Sequence, residues 1–353
     1  MSTRVEKREG AVAPREMGQP AERSTMTSAG GRWPETKIAA AYRACEEIAR
    51  REARNFYYAF RALPKAKRNA ICAVYAFMRH ADDLSDDETI SHTERRAALD
   101  GWLAEWHRFD EAFERAALGD RFSSGDLVFL ALADARRRFG IPSDLLDELV
   151  EGTAMDLRGS MQRAVISASA GPVLDLYPTF DELYRYCYLV ASVVGLVCIR
   201  IFGYEDLRAE KLAEETGIAF QLTNILRDVR EDAERGRIYL PVEDMERLGV
   251  TPDELARVAV GHRATAGQRE LLALEARRAE HYYESAQALL PLISPDSRPA
   301  LWVLVTIYHE LLQRIVRSRF EVFAAKVRVP TWKKFWILGR GLLRVFAYRL
   351  GLG

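Results

Sequence analysis

The chain has 353 residues, 48% of them hydrophobic and 29% charged, with 51 basic and 51 acidic side chains. That is an ordinary globular composition with ample core material. A net charge of zero provides no global basic field and argues against nucleic acid as a partner.

Residues 1–35, rich in Ser, Gly, Arg and Glu, have no apolar core of signal-peptide length and read as a disordered leader. Helical periodicity dominates from there on, and no run alternates convincingly enough to be a strand. The pattern predicts helices near 36–60, 65–86, 93–116, 125–139, 143–159, 180–202, 206–233, 252–258, 264–290, 296–324 and 332–350. Leu63-Pro64, Gly140-Ile141-Pro142, Gly171-Pro172, Gly236 and Ser294-Pro295 punctuate them. Ser143-Asp144 and Thr179 are placed to cap the helices that follow.

The segment 184–202 is apolar on nearly every face, which predicts a central helix ringed by amphipathic ones. Its strongest run, Tyr188 to Ile199, is about 12 residues, short of the roughly 20 that span a bilayer. An all-α domain over 36–325, a single large helical bundle with a central active-site cavity, is the expected architecture. The last segment, 326–353, is set apart. Within it 332–352 has five basic residues, no acid, and interleaved Trp, Phe, Leu and Ile, a pattern suited to an anionic membrane surface. Cys45, Cys72, Cys187 and Cys198 form no C-x-x-C pair and fit reduced, buried thiols of a cytoplasmic protein. His80, His92, His107, His262, His281 and His309 show no metal-ligand spacing.

Two acidic clusters stand out. On a helix, Tyr75, Arg79, Asp82 and Asp86 line one stripe, and roughly 140 positions later Gln221, Asn224, Asp228 and Asp232 line another. Two carboxylates about 6 Å apart repel by roughly 3 kcal/mol at an effective dielectric near 20. The first pair also sits near a helix C-terminus, where the macrodipole disfavours negative charge. A single such pair is ordinarily a solvated face; two, both abutting buried helices, point to a divalent metal. Mg²⁺ takes oxygen ligands octahedrally through one or two carboxylates and completes its shell with water and phosphate. Two facing Asp pairs are therefore expected to clamp a diphosphate through bridging metals, with Asn224 beside the second pair. Arg79, Arg227 and Arg237 supply forked, permanently charged donors for the remaining phosphate oxygens.

At these residues the chain resembles the squalene/phytoene synthase family of head-to-head prenyl diphosphate synthases, over roughly residues 40 to 325. Three blocks carry the resemblance: Tyr75 to Asp86; Tyr186 to Gly195, continuing to Phe202-Gly203; and Gln221 to Asp232 followed by Arg237-Ile238-Tyr239-Leu240-Pro241. The resemblance implies an isoprenoid-synthase fold and Mg²⁺-dependent condensation of two identical prenyl diphosphates, with Mn²⁺ as a substitute metal. It implies that Asp82 and Asp86 serve the first metal motif, and Asn224, Asp228 and Asp232 the second. It places Arg54, Tyr75, Arg79, Gln221, Arg227, Arg237 and Tyr239 near the diphosphates or the reacting carbons. The faces of Phe56, Tyr75, Tyr186 and Phe220 are expected to stabilise passing carbocations, and Tyr75, Tyr239 and the departing diphosphate are candidate proton acceptors.

The chain departs from the family pattern at Asn55-Phe56 and at Gly152-Thr153. The expected reaction joins two farnesyl diphosphates to presqualene diphosphate, leading to squalene or dehydrosqualene. The alternative is a phytoene synthase joining two geranylgeranyl diphosphates. NADPH enters only if the reaction runs on to squalene, and no G-x-G-x-x-G after a strand is present. No protein partner is implied. The expected location is cytoplasmic, peripheral on the inner face of the membrane through 332–352. A non-catalytic scaffold that keeps the fold would be expected to lose aspartates, and all four are present.

Overall fold

The computed structural model describes residues 34–53, 59–115, 126–157, 162–164, 174–257 and 262–349, all within the unit Trp33–Gly353. Helix α1 (Glu35–Glu52) is followed by α2 (Lys65–Ser85), α3 (His92–Glu114), α4 (Asp126–Phe139) and α5 (Ser143–Ala154). A helix then runs through Phe180–Phe202 in three parts: α6 (Phe180–Cys187), a π turn (Tyr188–Ser192) and α7 (Val193–Phe202). Next come α8 (Arg208–Glu234), the short α9 (Val242–Arg247) and α10 (Pro252–Ala256). The last three are α11 (Ala266–Leu289), α12 (Arg298–Arg317) and α13 (Thr331–Arg349).

Proline and short polar side chains set where these helices begin. Pro34, Pro64, Pro142 and Pro241 stand immediately before α1, α2, α5 and α9. Proline lacks the N–H that a helix start leaves unpaired, and its fixed φ suits that entry. Thr179 caps α6 as its sequence position predicts. Ser143 does not cap α5, because it lies inside the helix, with Pro142 at the cap position. Ser91 with Glu94, Thr251 with Glu254 and Thr265 with Gln268 form reciprocal capping boxes.

The Phe180–Phe202 helix is the inner element that the sequence predicts. Its 23 residues are long and apolar enough to cross a bilayer by length and composition. Packing explains the apolarity, since Leu183, Cys187, Val193, Val197 and Ile201 are fully buried. Helix α8 runs against the π turn, α7 and α11, while α5 packs on the opposite side of the π turn. Two glycines make that approach possible. A Cβ on Gly152 of α5 would lie 2.6 Å from the Leu189 carbonyl oxygen, and one on Gly217 of α8 would lie 2.5 Å from the Ser192 Cα. On the far side of α2, Phe77 is fully buried among Trp102 and Trp106 of α3 and Phe129 of α4, at ring separations of 5.7, 5.7 and 6.3 Å.

The structure corrects the sequence reading in several further places, beginning with α1, which stops at Glu52 where the pattern predicts a helix to 60. A small sheet is present, with β1 (Gln162–Ala164) antiparallel to β2 (Leu174–Leu176) and β2 parallel to β3 (Arg237–Ile238). Strands of two or three residues are too short to show alternation. Helix α9 falls in a stretch read as loop. The helix expected over 296–324 ends at Arg317, where Arg319 and Phe320 take left-handed φ values of 56° and 60°. That reversal, costly for non-glycine residues, turns the chain back over α8, where Arg230 donates to the Phe323 carbonyl oxygen at 3.1 Å.

Gly217→Ala must push a Cβ into backbone at the π turn and is expected to destabilise the protein by about 1–3 kcal/mol. Gly101→Ala in α3, where nothing lies within 4 Å of the new Cβ, should be neutral or stabilising by up to about 1 kcal/mol. Urea unfolding midpoints of the two variants check the contrast.

Candidate active site

On α2 the aromatic cluster holds the buried face, so the face with Tyr75, Arg79 and Asp82 is presented at a fixed angle. Asp82 is half-buried one turn before the exposed Asp86, which ends the helix. Burial, then the neighbouring Asp86, push the Asp82 carboxyl up to about 6. Arg79 opposes this, but its guanidinium is paired with Asp83, a residue outside the predicted stripe. The Thr153 hydroxyl of α5 lies 3.4 Å from Asp82 Oδ1 and 3.3 Å from the Leu149 carbonyl oxygen. The departure at Gly152-Thr153 therefore places a polar group against the first aspartate. Burial raises the pKa of the Tyr75 hydroxyl against the opposing pull of Arg79, so it stays a phenol.

The second stripe is the electrostatic opposite of the first. Arg227 Nε donates to Asp228 Oδ1 at 2.9 Å, and Lys326 Nζ reaches the same oxygen at 2.8 Å. Burial works against the Asp228 charge, but these two cations more than offset it and hold the carboxyl below its usual range. Lys326 also pairs with Glu231. Asn224 Nδ2 donates to Gln221 Oε1 at 3.3 Å, whereas Asn224 Oδ1 is buried with no hydrogen-bond partner. Asp232 is half-buried one turn further on.

Strand β3 delivers Arg237 and Tyr239. Tyr239 stacks on Tyr186 of α6 at 4.9 Å and on Tyr177 at 5.7 Å, a buried three-ring wall. The wall is pinned from outside. Val242 N–H donates to the Tyr177 carbonyl oxygen at 2.9 Å and Phe180 N–H to Glu243 Oε1 at 2.8 Å. Arg278 of α11 pairs with the buried Asp244 and Glu275 and lies 4.3 Å over the Phe180 ring.

Two cavities border α8. One, of about 620 Å³, is lined by Arg227, Lys326, Arg328, Lys334 and Tyr308 with a few aliphatic side chains. Burial, together with Arg227 and Arg328, pushes the Lys334 ammonium pKa down. The other, of about 140 Å³, is apolar, bounded by Phe60, Phe202, Phe220 and Cys198 and by the small residues Ala191, Gly195, Ala213 and Gly217. Leu304 lines both. Phe220 stacks on Tyr308 at 4.4 Å between them.

These residues fit a divalent metal. The half-buried Asp82 and the exposed Asp86 form an acid pair beside an Arg79 that is engaged by Asp83, and Asn224 offers a buried oxygen with nothing donating to it. No three of the described His, Cys, Asp and Glu side chains converge on one point.

The squalene/phytoene synthase family model matches residues 49–333, a span that contains both aspartate stripes, the tyrosine wall and Lys326. The chain belongs to the squalene/phytoene synthase family. Its members are prenyltransferases, and this chain is an enzyme of that kind. It is 32% identical to a 15-cis-phytoene synthase of Synechococcus elongatus over 319 residues, covering 87% of this chain and 94% of that one. It is 36% identical to a phytoene synthase of Mycobacterium tuberculosis over 310 residues, 87% and 92% of the two chains. A dehydrosqualene synthase solved with a ligand superposes with a TM-score of 0.70 at 29% identity, over 89% of this chain and 99% of that one. A squalene synthase of Alicyclobacillus acidocaldarius superposes at 0.68 and 28%, over 81% and 97%.

As a squalene/phytoene synthase, the chain brings Tyr75, Arg79, Asp82 and Asp86 together on α2, and Gln221, Asn224, Arg227, Asp228 and Asp232 together on α8. Tyr186 and Tyr239 meet in the wall. Arg54 and Phe56 lie outside the described residues. Sequence reasoning missed Lys326, Arg328, Tyr177, Thr153 and Tyr308. None shares a helical stripe with the aspartates, so spacing held no signal for them; only the strained turn at Arg319-Phe320 brings Lys326 to α8.

The raised Asp82 carboxyl makes a signed prediction. Its folded pKa of about 6 exceeds the ordinary 3.8, so the metal-free protein loses stability as pH rises from about 4 to about 6 and stays at the lower level above. Asp82→Asn removes that cost. The variant is expected to be more stable than the parent by about 1–3 kcal/mol at pH about 8, with the gain vanishing near pH 3.5, as read from urea midpoints in chelator.

Proposed function

We propose that the protein joins two farnesyl diphosphates head to head, giving presqualene diphosphate and leading on to squalene or dehydrosqualene, in a Mg²⁺-dependent reaction. The observation that carries this reading is the pairing of one under-neutralised acid stripe and one buried, unpartnered Asn oxygen with a cation-lined cavity that adjoins an apolar one. Asp82 and Asp86 on one helix, and Asn224, Asp228 and Asp232 on the other, would hold the metal. When bound, it supplies Lewis-acid charge to the leaving diphosphate.

The chain's own residues do the rest. Arg227, Lys326, Arg328 and Lys334 line one wall with positive charge that draws electrons onto the departing diphosphate as its C1–O bond breaks. The buried Tyr177, Tyr186 and Tyr239 rings keep water from the resulting allylic cation, and their faces offer it a quadrupole. The second substrate's double bond attacks the cation, and loss of a proton closes a cyclopropane. Burial keeps Tyr75 protonated, which suits it to donate a hydrogen bond to diphosphate rather than to act as the base. The departed diphosphate, a stronger base than either buried phenol, Tyr75 or Tyr239, is then left to take the proton.

The apolar cavity, with Phe60 and Phe202 in its lining, suits part of a prenyl tail. Condensation of two C20 geranylgeranyl diphosphates to phytoene is the second reading, favoured by relatives at 32–36% identity that are named phytoene synthases. NADPH would be consumed only if the product is squalene. Tails of either length partition into lipid, so the enzyme is expected in the cytoplasm, working against the inner face of a membrane.

Purified protein given C15 and C20 diphosphates separately with Mg²⁺, with and without NADPH, should convert the C15 substrate to a C30 product identifiable by mass spectrometry. Asp82→Ala and Asp228→Ala should each lower the rate by about 10³-fold or more; full activity in either sinks the proposal. Lys326→Met is expected to act with opposite signs. By removing a counter-charge from Asp228 it should tighten Mg²⁺ binding to the substrate-free protein by about 1 kcal/mol in calorimetry, while raising the KM for the prenyl diphosphate.

A further inference from the structure

Beside the tyrosine wall lies a buried charge cluster that the condensation chemistry does not use. Asp244 of α9 and Glu275 of α11 converge on the guanidinium of Arg278, their side chains only 2% and 1% exposed. Arg247 gives Asp244 a second cation at 2.8 Å. Glu275 Oε2 is buried with nothing donating to it. Burial, with Asp244 adding to it and Arg278 opposing, pushes the Glu275 carboxyl up to about 7. Burial and then Glu275 raise the pKa of the Cys187 thiol, which adjoins Tyr186 in the chain. Desolvating such groups commonly costs a fold more than an apolar patch of the same shape would. Stability therefore does not account for the cluster. What a guanidinium adds is direction, because its fork holds carboxylates at fixed angles that an aliphatic contact cannot impose.

That direction is passed to every segment bearing a wall tyrosine. Arg278 lies 4.3 Å over the ring of Phe180, the first residue of the helix that carries Tyr186. Asp244 is joined to Tyr239 by the short run Leu240-Pro241-Val242-Glu243. Within that run, the Val242 and Glu243 N–H groups donate to the carbonyl oxygens of Tyr177 and Pro178 at 2.9 and 3.1 Å. Glu243 Oε1 in turn accepts from the Phe180 N–H at 2.8 Å. The Tyr177 loop, the start of α6 and the start of α9 thus form one assembly, and Arg278 ties it to α11. None of these groups lines the cation-rich cavity, so the cluster bears on the wall and not on the diphosphate.

We propose that Arg278, held by Asp244 and Glu275, is a positioning residue for the condensation: it seats the tyrosine wall and so decides whether the allylic cation meets the second substrate or water. The inference rests on the prenyl diphosphate reading for its chemistry. Where the wall stands off, the oxygen of water bonds to the cation and a proton passes to solvent. An allylic alcohol then leaves in place of the carbon–carbon bond.

Arg278→Met alone would leave two buried carboxylates short of charge, so it is combined with Glu275→Gln, and Asp244 keeps Arg247. In substrate-free protein the double variant should speed amide exchange over 174–187 and 237–245 by about tenfold or more, with 65–85 unchanged. Given C15 or C20 diphosphate and Mg²⁺, its ratio of allylic alcohol to head-to-head product should rise about tenfold or more, while the KM stays within about twofold of wild type. Glu275→Gln alone leaves Arg278 on Asp244 and should match wild type in both readouts. Leu130→Ala, in the core on α4, should lower the urea midpoint without moving the alcohol ratio. Unchanged exchange at the wall, or an unchanged ratio despite faster exchange, would overturn the proposal. So would an equal rise in the ratio for Leu130→Ala, since lost stability would then explain it. Wild-type protein that makes no head-to-head product from either substrate sinks the prenyl reading instead, and the exchange result then decides the anchor by itself.

Discussion

The close backbone contact at the π turn is the constraint on which the rest of the structure depends. α5 meets Leu189 at Gly152, and α8 meets Ser192 at Gly217, each at a distance only glycine permits. Because side chains are absent at those two points, the helices bearing Thr153 and Gln221 lie against one shared spine. Thr153 in turn touches Asp82, so the contact at Gly152 that seats α5 also fixes the first aspartate's neighbour.

The two stripes solve the problem of a half-buried carboxylate in opposite ways. Asp82 has no dedicated cation, because Arg79 is drawn to Asp83, and its proton is correspondingly hard to remove. Asp228 has two cations and is easily ionised. The first stripe therefore carries charge that lacks compensation and the second carries charge already compensated, and the cations on Asp228 also line the cavity next to it.

Much of this was legible in the chain. The paired aspartates, Asn224 and Gln221 share a helix face because 3.6 residues make a turn, and such local geometry is written in spacing. The apolar Phe180–Phe202 segment announced the inner helix for the same reason. Lys326 left no such trace: it stands 98 residues from Asp228 and meets it only because two residues in α12's wake adopt left-handed backbone. Tyr177 and the short strands were invisible because two or three residues carry no period. The wall formed by Tyr177, Tyr186 and Tyr239 joins segments that pair through backbone hydrogen bonds, which any sequence can make.

Sequence alone determined the helical class, the order of the helices and the two acid stripes, since each follows from contacts between residues three or four apart. It also determined the family, because three blocks of side chains keep their register. Tertiary structure decided which aspartate is neutralised and which cations line the cavity. Those outcomes depend on burial and on contacts between distant segments, and desolvation and charge pairing are properties of where a group sits rather than of what precedes it in the chain.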